Sequence, residues 1–117
     1  MKKVFLIGKF NESFEEMNNY LAKNFSVQVC VDNISVMHSV LKLSHPDFFI
    51  LNTFDMEDKN TFIEEIRSNY KDIPLISIET SQENVGANAF GDLSKFRALV
   101  MPVELDKLVQ AVCNMLG

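Results

Sequence analysis

Phe48-Phe49-Ile50-Leu51 is an unbroken apolar run, opened by Pro46-Asp47 and closed by Asn52. Four apolar residues with no polar alternation suit a strand covered on both faces, and such a strand belongs in the middle of a parallel sheet. Asn52 then stands at the carboxyl end of the central strand, where ligands and chemistry gather in sheets of this kind. The chemistry open to the chain therefore depends on what an amide at that position can do.

The segments on either side repeat one theme. Lys2 to Ile7 has the β-branched and aromatic content of a first strand, ended by Gly8-Lys9. Asn11 or Ser13 can cap a first helix, Ser13 with Glu16 has capping-box spacing, and Phe14, Met17, Leu21 and Phe25 form its apolar stripe. Val27, Val29 and Val31 alternate with Gln28, Cys30 and Asp32, a period of two that suits a strand nearer a sheet edge. A second helix, capped by Asn33 or Ser35, is expected to turn Val36, Met37, Val40, Leu41 and Leu43 inward, and Pro46 prevents its continuation. A third helix begins near Asn60 with Phe62, Ile63, Ile66 and Tyr70 on one side, and Ile73-Pro74 ends it. Leu75 to Ile78 and Ala98 to Met101 read as the fourth and fifth strands. Between them, Ser81 to Ser94 holds Gly86 and Gly91 with few apolar residues, so a weak, mobile helix is expected there. Leu105, Leu108, Val109, Val112 and Leu116 mark the last helix behind Pro102.

Five strands alternating with five helices imply right-handed crossovers and an α/β, doubly wound parallel sheet with helices on both faces. The flavodoxin-like strand order 2-1-3-4-5 is expected, which brings the ends of strands one and three together and puts Gly8, Lys9 and Asn52 in one cleft. At 117 residues the chain forms one domain, long enough to bury roughly two-thirds of its unfolded surface.

Composition excludes several functions. The net charge is −5 and Lys and Arg do not cluster, which argues against direct nucleic-acid binding by this domain. No apolar run approaches the ~20 residues of a membrane helix, and the short Val4–Ile7 run is not followed by a signal-peptide cleavage site, so a cytoplasmic protein is expected. Cys30 and Cys113 have no partners at metal spacing and read as two reduced thiols, and His38 and His45 lack a third ligand. No phosphate loop, nucleophile elbow or zinc-protease motif is present.

PDFFILN at 46–52, NTFIEEIR at 60–67, IPLISIET at 73–80 and ALVMP at 98–102 together resemble the receiver domain of bacterial two-component response regulators, over essentially the whole chain. The resemblance implies a phosphoacceptor aspartate at the end of the central strand, an acidic pair after strand one that holds Mg²⁺, a Thr or Ser ending strand four, and a Lys before the proline after strand five. This chain has Asn52, Gly8-Lys9, Glu79 followed by Thr80, and Met101 at those places.

Each departure removes a function. An amide lacks the nucleophilic oxygen that forms an aspartyl phosphate. Gly8 gives no ligand and Lys9 gives a cation where Mg²⁺ needs hard oxygens. Glu79, when ionised, repels a phosphoryl group, and Met101 has no charge to pair with one. Asp47 lies at the wrong end of the strand, and Asp55 reaches the rim only by a register shift that spoils the match through NTFIEEIR. The family's switch also needs an aromatic residue where this chain has Ala98; Thr80 and Phe96 offer only a displaced hydroxyl and a displaced ring. Two arrangements of the pocket remain open. Either Lys9 and Glu79 face each other over Asn52, or both reach solvent, where an exposed pair contributes only ~0–1 kcal/mol.

The expected function is that of a receiver-like domain that is not phosphorylated, has no catalytic residue, metal or cofactor, and acts as a signalling or transcription-regulatory interaction module. Its expected partner is a protein: a regulator, a kinase or an output domain. Phe90, Phe96, Met101 and Val103 on the helix-four to helix-five side offer an apolar patch for a homodimer, or alternatively part of the core. The competing readings are a regulatory domain cut from a longer response regulator, and a flavodoxin-like binder of a small anion in the Gly8, Lys9, Asn52 and Glu79 cleft.

Overall fold

The computed structural model describes residues 1–80 and 95–116. Five strands, β1 (Lys3–Gly8), β2 (Ser26–Val31), β3 (Phe48–Asn52), β4 (Leu75–Glu79) and β5 (Phe96–Val100), form one sheet in the order β2-β1-β3-β4-β5. Every neighbouring pair is parallel. Four helices are described: α1 (Glu12–Leu21), α2 (Ile34–Leu43), α3 (Lys59–Asn69) and α4 (Leu105–Leu116). The weak helix expected within 81–94, and Phe90 with it, lie outside the described residues.

Strand alternation sorts the core into two layers. Val4, Leu6, Phe48, Ile50, Ile76 and Ile78 point to the side covered by α1 and α4, where Phe14, Met17, Leu108 and Val112 meet them. Phe5, Ile7, Phe49, Leu51 and Leu75 point to the other side, against Met37 and Leu41 of α2 and Phe62, Ile63 and Ile66 of α3. All five residues of β3 are buried, as an apolar run at the centre of a doubly covered sheet requires. At its lower end Asp47 accepts the backbone N–H of Lys3 at 2.8 Å, fixing the entry of β3 beside β1.

Several local expectations shift. Asn11, not Ser13, caps α1, its Oδ1 accepting the N–H of Phe14 at 2.9 Å, and Asn33 caps α2 in the same way at 3.0 Å. On β2 the valines are half-buried and Cys30 is the buried residue, because the edge strand receives helix cover on both faces. On α2, Met37 and Leu41 are buried, whereas Val36 and Leu43 are exposed. β5 begins two residues earlier than expected, so Phe96 pairs with Leu75 and its ring is buried in the α2/α3 layer. Met101 and Val103 are half-buried and pack on the opposite layer.

Candidate functional site

The carboxyl ends of β1, β3 and β4 hold Gly8, Asn52 and Glu79, but the sheet turns Asn52 and Glu79 to opposite faces. Asn52 has the parity of Phe48 and Ile50 and turns toward α1; Glu79 has the parity of Leu75 and Ser77 and turns toward α3. Two distinct polar networks result where one cleft was expected.

On the α1 face, Asn52 is 1% exposed. Its Nδ2 donates to Ser13 Oγ at 3.3 Å, and its Oδ1 accepts the N–H of Phe54 at 3.0 Å. Both ends of the amide are thus used inside the protein, as a buried amide requires. Gly8 lies directly beside it in the β1–β3 register. A Cβ at position 8 would stand 2.8 Å from the Asn52 carbonyl oxygen and 3.0 Å from the Phe14 ring. A side chain at the first of the two expected metal-binding positions is therefore barred sterically as well as missing chemically.

On the α3 face, Glu79 is likewise 1% exposed. Lys59, the first residue of α3, places its Nζ 2.8 Å from Glu79 Oε2. The Ser77 hydroxyl donates to Oε1 at 3.2 Å, and the Thr53 hydroxyl, 2.6 Å from the carbonyl oxygen of Ile78, lies 3.3 Å from Oε2. A cation and two hydroxyls surround the carboxylate, the arrangement that makes a buried charge tolerable.

Both arrangements anticipated for Lys9 and Glu79 are therefore corrected. Lys9 is exposed, whereas Glu79 is sealed inside with Lys59 as its counter-charge. Lys59 was missed because it lies 20 residues from Glu79, in the acidic stretch DMEDKN, where spacing carries no sign of a partner on another strand. Ser13 stands in the sequence only as a possible cap, Thr53 as a polar residue after the central run, and Ser77 as a polar residue within the fourth strand.

Thr80 is exposed and lines a groove of about 260 Å³ with Thr53, Lys59 and Thr61. Met101 donates its backbone N–H to the Glu79 carbonyl at 2.8 Å, and its side chain lines a separate hollow beside α1. Phe96 cannot serve as a displaced ring, since its register partner Leu75 is at the far end of β4 from Glu79. Asp55 is exposed, with φ of 63°. His38 pairs with Glu65 across α2 and α3 at 3.2 Å. Among the described residues, no three His, Cys, Asp or Glu side chains gather as metal ligands do.

The sequence matches no protein-family model and no curated relative. Solved structures resemble it over its whole length. A response regulator receiver modulated diguanylate cyclase from Pelobacter carbinolicus superposes with a TM-score of 0.77 at 24% identity, covering 99% of this chain and 92% of that one. The chemotaxis response regulator CheY4 of Vibrio cholerae gives 0.77 at 19% identity, covering 98% of each chain. A response regulator signal receiver domain from Bermanella marisrubri gives 0.77 at 14% identity, covering both chains fully. The protein thus has the CheY-like, flavodoxin-type fold of response-regulator receiver domains.

Proposed function

We propose that this protein is an atypical receiver domain that accepts no phosphoryl group and works as a protein interaction module in signalling or transcription control. On this reading it performs no catalysis and acts in the cytoplasm, and its partner is a regulator, a kinase or an output domain, carried on the same or a separate chain. The observation that carries the reading is the fully engaged, buried Asn52 amide: it has no nucleophilic oxygen, and Ser13 and the Phe54 amide close around it. The separation of Glu79 onto the α3 face supports it further, because hydroxyl and cation are spent on an internal carboxylate rather than directed at position 52.

Incubation with acetyl phosphate and Mg²⁺, followed by intact-mass measurement, tests the reading. No phosphoryl adduct is expected. An adduct that disappears in Asp55→Ala overturns it. The small-anion alternative is tested by thermal unfolding with nucleotides and flavins, since a ligand that binds only the native state raises the melting temperature.

A further inference from the structure

Phe10 and Phe54 are 59% and 40% exposed, an unusual state for large aromatic side chains in a chain that buries most of its others. They belong to the loops leaving β1 and β3, which are adjacent strands, and Asn11 Nδ2 ties the loops together by donating to the Phe54 carbonyl at 3.4 Å. Phe10 is also held at its base, its ring centroid 4.9 Å from that of Phe14. The first turns of α1 rise between two hollows: one of about 530 Å³ beside Phe10 and Phe14, the other of about 500 Å³ beside Phe54, Met17 and Met101. Exposed carboxylates on these loops and the start of α1, namely Glu12, Glu15, Glu16, Asp55, Glu57 and Asp58, outnumber the exposed cation beside Phe10, Lys9.

We infer that this face docks a basic amphipathic segment of another protein, whose apolar residues cover Phe10 and Phe54 while its Lys and Arg side chains meet these carboxylates. The inference rests on the interaction-module reading and names the chemistry of the partner. Charge decides among occupants. A second copy of this chain, with its own net charge of −5, would set carboxylate against carboxylate on this face, whereas a cationic segment is attracted and oriented. Exposed aromatic anchors within a polar rim are the arrangement in which a few residues supply most of the binding energy.

The test uses a fluorescein-labelled helical peptide of leucine and lysine, with leucines spaced i, i+3 or i+4, and i+7. Binding is followed by anisotropy and by amide shifts of the ¹⁵N-labelled chain. The expected shifts cluster at residues 9–18 and 52–58, and affinity falls as salt is raised. Phe10→Ser with Phe54→Ser keeps every charge and is expected to weaken binding about tenfold or more, as loss of aromatic anchors does. Asp72→Asn with Asp106→Asn, changing exposed charges away from this face, leaves affinity unchanged. Because both phenylalanines are exposed, the spectrum of the double variant reports that it still folds. Unchanged affinity in that variant, shifts spread over other surfaces, no binding, or a dimer of the chain alone that Phe10→Ser dissociates each overturns the inference. None of these results touches the phosphoryl test, so the two readings fail separately.

Discussion

Lys59 Nζ and Glu79 Oε2 stand 2.8 Å apart, joining the first residue of α3 to the last residue of β4. The carboxylate side chain is 2% exposed and the ammonium side chain 19%. Attraction between them is therefore little weakened by water, and loss of Lys59 removes the cation that offsets the buried Glu79 charge.

Lys59→Met is expected to destabilise the fold by about 2–3 kcal/mol, somewhat below the value for a fully buried pair because the lysine retains some solvent contact. Lys59→Met with Glu79→Leu should be less destabilised than Lys59→Met alone, since the buried Glu79 charge is removed together with the cation that offsets it. Urea denaturation of Lys59→Met, Glu79→Leu and the double variant provides the comparison; a double variant that loses the sum of both single effects contradicts the assignment.

Asn52→Asp is expected to fold yet remain unphosphorylated by acetyl phosphate and Mg²⁺, because Gly8 supplies no ligand and Glu79 faces away from position 52. Intact mass after incubation checks this, and a phosphoryl adduct on that variant would show that the amide alone accounts for the loss.

Gly8→Ala should cost about 1–3 kcal/mol, the usual penalty for forcing a methyl group into a packed interior. Its new Cβ would lie 2.8 Å from a backbone oxygen, which cannot rotate away as a side chain can. Thermal unfolding measures the loss, and a neutral result would mean that β1 and β3 separate more easily than their ladder suggests.

Cys30 and Cys113 should react very differently with a thiol reagent. Burial, reinforced by the nearby Asp32 charge, pushes the Cys30 thiol up from 9.0 to about 11, whereas Cys113 is exposed on α4. Cys113 is labelled first, and Cys30 only as the fold opens. Between pH 9 and 11 the unfolded chain loses the Cys30 proton while the folded chain keeps it. The thiol's contribution is therefore intact below pH 9 and is lost as pH rises toward 11, by at most about 2–3 kcal/mol. Cys30→Ala should flatten that part of the stability profile relative to the wild type, as followed by urea denaturation at each pH.

The sequence by itself determined the order of elements, the parallel sheet and the central place of β3, because periodicity and breakers such as Pro46 and Pro74 act within a few residues. It also set what the side chains at positions 8, 52, 79 and 101 can and cannot do chemically, since an amide, a glycine or a thioether carries its limits wherever it stands. Helix facing is less legible in local spacing: Leu43 belongs to the apolar pattern of α2 yet, at its last residue, is 91% exposed. Only the tertiary structure decided the partners. Ser13 and Asn52 are 39 residues apart, and Lys59 and Glu79 are 20 apart. Which side chain meets which follows from the parity of each strand and the angle at which each helix crosses the sheet, and neither quantity is encoded in local spacing. Asn52 and Glu79, expected to share a cleft, are divided by the sheet because they differ by one position in the register, which places them on opposite faces.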